Sequence, residues 1–325
     1  MSDLIVNSLW TERTHPSVTI LTPVFNRRDL LPRAMASVQR QSCKDLEYIL
    51  VNDGSTVDLD DIVLPFLTQA DFPMAYIKKE NGGVHTARNA AIRLSRGEMM
   101  LFLDSDDEYV PEAVEVFLKA WRTIPDGIRD SYREVGAFCQ DEQGRRIGIP
   151  YPDNMNRLPY PEQRQIRISH QRGEQTALLR ADLMRANPWP EPEGVNFVHE
   201  SLIWRKLDGQ YKTWSINDAL RIYHTETAES YTRTGLNKRL RKQTLTNRIY
   251  HSKYCFEHPD EIRSKRTEWL WNGLWYKAYD RIFKWMYGEL PYPWHTPEKY
   301  LGTGKLLQIP GFCLAAAYYL YAKIR

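Results

Sequence analysis

Asp104, Asp106, Asp107 and Glu108 follow directly on the apolar run Met100-Leu101-Phe102-Leu103, with Ser105 between the first two acids. Carboxylates this close repel one another, and a hard divalent cation with oxygen ligands, itself shared with a phosphate, removes that repulsion. A solvated acidic turn leading into a helix near Pro111 is the plainer alternative. Other stretches carry parts for related chemistry. In VNDGST, Asp53 can accept hydrogen bonds from a ribose hydroxyl or a base N–H, and Gly54 supplies turn freedom. In PVFNRRD, Phe25 offers an aromatic face and Pro23 lies at the same chain exit. ENGGVHTARNAAI (80–92) sets two glycines before a helix and Arg88 in its first turns, an arrangement suited to an anion. Gly82 and Gly83 merely turning the chain is the alternative there. His224, ending LRIYH, is placed to bind a metal or a phosphate, or to serve as an ordinary surface or core histidine.

These residues need elements that bring them to one edge. VTILTPV (18–24), LEYILVN (46–52), MAYIK (74–78) and EMMLFL (98–103) have the length and apolar continuity of strands buried on both faces. Helical periodicity runs over 29–41, 58–69, 84–96 and about 111–123. Alternating β and α elements with short connections predict an α/β fold on a mostly parallel sheet, whose ligands bind beyond the carboxyl ends of the strands. The features at 23–26, 53, 82–88 and 104–106 all fall at such ends. REVGAFCQ (133–140) reads as a further strand, and the Pro-rich YPDNMNRLPYPEQ that follows reads as a long loop. A second set of elements occupies 173–224. Beyond 235 the chain reads as helical, broken by prolines.

A chain of 325 residues can bury a large core. Cys43, Cys139, Cys255 and Cys313 match no zinc, thioredoxin or disulfide spacing, which fits a reducing compartment. The first residues lack a basic region followed by an apolar run, so a cytoplasmic location is expected. Residues 221–325 hold a net charge of +9 against +3 for the whole chain, and five tryptophans, Trp269, Trp271, Trp275, Trp285 and Trp294, fall within that basic region. Such a mixture suits an anionic membrane face better than nucleic acid, because no nucleic-acid module is present and the charge is mixed. No GxGxxG occurs, and in GTGKL Leu306 stands where a P-loop needs Ser or Thr.

In their order, the TPVFN strand end, the VNDGS turn, the NGGVHTARNAAI segment and the LDSDD motif resemble the inverting glycosyltransferases of family 2 over residues 18–124. The resemblance implies a GT-A fold, a Rossmann-like nucleotide-diphospho-sugar transferase, with a C-terminal helical extension. It further implies an enzyme of the hexosyltransferase type that uses Mn²⁺ or Mg²⁺ and a nucleotide sugar, a UDP sugar being expected. Nucleotide contact falls to Pro23, Phe25 and Asp53, and phosphate contact to Arg88. Metal–diphosphate contact falls to Asp104 and Asp106, with Asp106 as the direct ligand; Ser105 between them is a further candidate for contact with the nucleotide, and His224, apart from the resemblance, stays a candidate metal ligand. For the general base the resemblance points to Glu200 in PWPEPEGVNFVHESLIWRKL, although His199-Glu200 stands where many relatives carry Glu-Asp. An acid in the first turn of a helix is the alternative for Glu200. Gly173-Glu174 is a further candidate on the acceptor side.

The expected organisation is an N-terminal extension (1–17), a nucleotide-sugar half (18–124), an acceptor half (125–234) and a basic, aromatic helical region (235–325). The acceptor is expected to be a glycan or a lipid-linked glycan, met at the inner face of the membrane through the C-terminal region. Segment 306–325 is too broken by Gln308, Pro310 and Gly311 to span a bilayer, and either lies on a membrane or packs as a closing helix. A nucleotide-sugar-binding partner that has lost catalysis is the competing function.

Overall fold

In a computed structural model the chain is described over residues 3–12, 15–171, 173–208, 210–224, 242–260, 266–288, 310–311 and 313–316. Two compact units emerge, one comprising Met1–Pro188 with Leu207–Thr227, the other Trp189–Lys206 with Ala228–Arg325. The first is built on a single sheet. Its strands are β1 (Asp3–Val6), β2 (Val18–Val24), β3 (Leu46–Asp53), β4 (Met74–Lys79), β5 (Met99–Phe102), β6 (Glu108–Tyr109), β7 (Tyr132–Gln140), β8 (Arg146–Ile147), β9 (Gln175–Arg180) and β10 (Lys212–Ile222). Helices α1 (Leu31–Gln39), α2 (Asp60–Gln69), α3 (Val84–Leu94) and α4 (Ala113–Thr123) alternate with the early strands, as the periodicity predicts. The short α5 (Asp126–Arg129), α6 (Tyr160–His170) and α7 (Ala181–Ala186) come later.

Strand order is β1-β4-β3-β2-β5-β9-β7-β10-β6, with β8 paired to β7. Pairs β2–β3, β3–β4, β2–β5 and β7–β10 are parallel, whereas β9 runs antiparallel to both of its neighbours. Inserting one reversed strand restores the original direction beyond it. The carboxyl ends of β2, β3, β4, β5, β7 and β10 therefore share one edge, and the start of β9 arrives there too. Every residue of β3 is buried, which requires cover on both faces. Leu46, Tyr48 and Leu50 pack in one core with Leu31 and Val38 of α1, Val63 of α2 and Phe117 of α4. The alternate residues Ile49 and Val51 are equally buried, and α3 packs on β2 and β3. Each such side chain contributes about 1.5–3 kcal/mol by leaving water.

Two local readings change. The Pro-rich stretch is not one long loop: α6 begins at Tyr160 with Pro161 in its first turn, where a missing N–H costs nothing because no intrahelical acceptor exists for it. The N-terminal extension supplies β1, paired antiparallel to β4.

The second unit contains α8 (Ser201–Leu207, which starts in this unit), α9 (Lys242–Glu257) and α10 (Arg266–Tyr287), in line with the expected helical character. Leu245 and Ile249 of α9 pack with Ala278, Ile282 and Phe283 of α10 and with Ala315. His251 of α9 lies between His199, 5.5 Å away by ring centroids, and the Cys255 thiol, 3.7 Å from its Nε2. Burial, with His199 and Arg205 adding to it, pushes the His251 imidazole down to about 4. In the unfolded chain it titrates near 6.5, so the stability this neutral ring contributes is complete above that pH and is lost as pH falls toward 4. A loss of up to ~3 kcal/mol across that window is expected, and His251→Leu should flatten it in chemical denaturation series.

Candidate active site

Asp53 closes β3, and both of its oxygens are used within the fold. Oδ1 accepts from the Lys79 ammonium at 2.5 Å and from the Gly82 N–H at 3.1 Å. Oδ2 accepts from the Gly83 N–H at 2.8 Å and from the Asn81 amide at 3.2 Å. The residue thus folds the NGG loop onto the sheet edge. Gly54, with φ +72°, permits this, since a Cβ there would stand 2.5 Å from the Asn81 nitrogen. Pro23 pairs in register with Val51 on β3, and Phe25 just beyond β2 is 44% exposed.

Arg88, in the α3 that starts after Gly83, is buried, with its guanidinium 3.2 Å from Asp104 and over the Phe102 ring. The acidic run is a tight turn in which the Asp107 N–H donates to the Asp104 carbonyl, placing Ser105 and Asp106 at its tip. Three of its four acids are compensated. Asp104 meets Arg88 and Arg221, Asp107 meets Arg221 at 3.5 Å and the His224 backbone N–H at 3.1 Å, and Glu108 meets Arg40 and the His224 Nε2, each at 2.9 Å. The Asp106 carboxylate forms no ion pair among the described residues, although Arg33 donates to its backbone carbonyl. Burial, then the nearby Asp104 charge, pushes Asp106 above its ordinary range. A half-buried carboxylate held beside a second one, both hard oxygen donors, fits a divalent ion that takes its remaining ligands from phosphate and water. No cluster of three or more His, Cys, Asp or Glu side chains suited to a metal occurs among the described residues.

Sequence reasoning passed over Arg221. This guanidinium, on β10 and buried, reaches Glu174 at 3.3 Å, Asp107 at 3.5 Å and Asp104 at 3.7 Å. Burial opposes its charge, but neighbouring Cys139 and the acids more than offset that and hold it fully protonated. Glu174, one residue before β9, thereby joins the edge. The signal was present: a lone Arg in the strand-like LRIY is out of place unless acids await it. Asp107, pushed up to about 7 chiefly by burial, depends on this cation. Arg221→Met is therefore expected to cost roughly 3 kcal/mol in denaturation experiments, the loss typical of breaking a buried pair from one side. A loss below about 1 kcal/mol would mean that the acids are neutral in the native protein.

His224 stands at this edge with both ring nitrogens turned to carboxylates, Nε2 to Glu108 and Nδ1 to Glu142 at 3.0 Å. It bridges the start of β6 and the exit of β7. Glu200 lies in the second unit, where its carbonyl accepts from the Ile203 and Trp204 N–H groups at the start of α8. The His199 Nδ1 accepts from the Ser201 N–H at 3.1 Å, capping the same helix.

A mostly parallel sheet with an exposed aromatic, a buried arginine at a helix start and an acidic turn along its carboxyl edge defines a GT-A fold, the Rossmann-like nucleotide-diphospho-sugar transferase architecture. Residues 19–180 match the model of glycosyl transferase family 2, and the chain belongs to that family. The uncharacterized glycosyltransferase EpsJ of Bacillus subtilis is 31% identical over 159 residues, 48% of this chain and 44% of EpsJ. The chain spans less than half the length of the curated relatives it matches, as little as 14% for some. Among solved structures, S. aureus TarS 1–349 in complex with UDP-GlcNAc superposes with a TM-score of 0.54 at 15% identity, covering 94% of this chain and 91% of that one. The mannosyltransferase PcManGT from Pyrobaculum calidifontis, in complex with GDP-Man and Mn²⁺, superposes with a TM-score of 0.50 at 17% identity, covering 95% and 86%.

Proposed function

We propose that the protein is a metal-dependent, inverting glycosyltransferase that moves a sugar from a nucleotide diphosphate donor, a UDP sugar, to a hydroxyl of a glycan or lipid-linked acceptor. The observation that carries this reading is Asp106, at the tip of a turn whose other acids are paired, with a carboxylate that burial and Asp104 raise, that Arg27 and Arg33 offset only in part and that forms no ion pair among the described residues. Family membership and the fold shared with a UDP-GlcNAc complex and a GDP-Man·Mn²⁺ complex support it.

Asp106 and Asp104 would hold Mn²⁺ or Mg²⁺, which when bound supplies counter-charge for the diphosphate. The chain's own groups do the rest. Phe25 offers its ring to the base, Arg88 adds positive charge beside Asp104, and Asp53 keeps the glycine N–H groups of the loop before α3 in place. Glu200 is assigned the acceptor proton. As the acceptor oxygen attacks the anomeric carbon, Glu200 takes the hydroxyl hydrogen and the bond to the diphosphate oxygen breaks on the opposite face, carrying its electron pair away. Configuration inverts in that single displacement. His224, held between two carboxylates, is better suited to fixing the acidic turn than to metal ligation. A donor screen that follows UDP or GDP release with and without Mn²⁺ tests the proposal. Nucleotide binding with no release from any donor would favour the non-catalytic partner instead.

The acceptor side includes a membrane proposal. No helix among the described residues is long and apolar enough to cross a bilayer. Trp271, Trp285 and Tyr287 of α10 are exposed, which suits an interfacial surface at the inner leaflet. Most of segment 306–325 lies outside the described residues. Full-length protein is expected to co-sediment with anionic but not neutral vesicles, and a chain ending at Lys305 to bind less. Equal recovery of both chains in the supernatant with every lipid would remove the membrane proposal.

A further inference from the structure

Among the described residues Asn26 is the one non-glycine residue with positive φ, at +52°. Left-handed backbone is unfavourable for most L-residues and least so for Asn and Asp, and where it persists the surroundings must hold it. Here they do. The Asn26 Oδ1 accepts from the Thr56 N–H at 2.8 Å and from the Thr56 hydroxyl at 3.1 Å, while the Asn26 N–H donates to Ser55 Oγ at 3.0 Å. Three bonds thus join the loop leaving β2 to the turn leaving β3. That turn is itself fixed, by the Asn52 Oδ1 accepting from the Ser55 N–H and by Gly54 in the left-handed region. The residue immediately before Asn26 is Phe25, a large aromatic left partly exposed at the carboxyl edge of the sheet. A large aromatic left 44% exposed gains much less from the fold than a buried one, yet the backbone beside it is in the left-handed region and pinned. Strain next to an unused ring is what a preorganised stacking platform requires: the Cα–Cβ direction is set before any ligand arrives.

We propose that Asn26 is a positioning residue of the donor site, its left-handed turn holding Phe25 in place to stack on the base of the nucleotide. The proposal rests on the nucleotide-sugar reading above and assigns to that site a residue outside the metal and proton-transfer groups. Asn26→Gly separates the two parts of the device, because glycine keeps the φ value without cost and deletes the side-chain bonds.

Calorimetric titration of UDP with Mn²⁺ into the full chain, its Asn26→Gly and Phe25→Ala variants and the double variant provides the test. Asn26→Gly should weaken UDP binding roughly five- to tenfold, the loss expected when a loop held ready before the ligand arrives must instead be ordered on binding, and raise donor KM with kcat within about twofold. Phe25→Ala should weaken it by about tenfold or more, as loss of one base–aromatic stack does. If Asn26 acts through Phe25, the double variant binds no more weakly than Phe25→Ala, within about twofold. Losses that multiply, or an Asn26→Gly affinity equal to wild type, overturn the proposal. Should Asn26→Gly lose its fold by circular dichroism, Ser55→Ala, which removes one of the three bonds, is read in its place: a loss of about twofold that vanishes in the Phe25→Ala background supports the role, and no loss refutes it. Wild-type protein that binds neither UDP nor GDP refutes the nucleotide-sugar reading itself, a result distinct from either outcome for Asn26.

Discussion

Asp106→Ala is expected to abolish sugar transfer, with kcat falling ~10³-fold or more, while the thermal midpoint stays level or rises slightly. The two halves of that expectation come from the same observation. A carboxylate pushed above its ordinary range by burial and by Asp104, with Arg27 and Arg33 offsetting this only in part, is on balance destabilising when ionised, so deleting it relieves that cost and breaks no ion pair among the described residues. Asp107→Ala should behave oppositely in stability, because Asp107 accepts from the His224 N–H and pairs with Arg221. Single-turnover assays of nucleotide release, paired with thermal melts, separate the cases. Wild-type activity that survives EDTA, or an Asp106→Ala variant within tenfold of wild type, rules out the metal role.

Glu200→Gln should leave donor and Mn²⁺ affinity near wild type and lower turnover by roughly two to four orders of magnitude, the range for loss of a general base. The amide keeps the shape and the backbone contacts that begin α8, so stability is a poor readout and kcat the right one. Turnover within a few-fold of wild type would move the base elsewhere. Glu174 would then be tested first, since its carboxylate joins Arg221 and Asp104 in one cluster, and His199 second.

The front of the molecule was legible for a physical reason. Strands buried on both faces must be continuously apolar, and the helices between them repeat with the period of a single buried stripe, so 18–124 announced its own elements. The direction of β9 was not legible, because an isolated apolar run reads the same whether it pairs parallel or antiparallel. With β9 unread, the arrival of Glu174 beside Asp104 and Asp107 had no warrant, and Arg221 was just one basic residue among many. Asp53, by its place after a strand, reads from sequence as a nucleotide contact. Its saturation by Lys79, Asn81, Gly82 and Gly83 depends on the shape of the next loop, which no local pattern specifies. The α6 helix is hidden in the sequence because proline reads as a breaker, whereas at the first turn of a helix it is tolerated.

Arg221 also bears on where this domain may be cut. The segment recognisable by family likeness ends at residue 180, and it contains Phe25, Asp53, Arg88 and the entire acidic turn. By likeness alone it looks self-sufficient. A fragment trimmed to that boundary would nonetheless expose one side of β7, its pairing partner β10 having been removed, and would leave Asp107 in the interior without a cation. Expression boundaries, split-protein designs and domain swaps with relatives should therefore run through His224, so that the graft carries the counter-ion of the acids along with the acids.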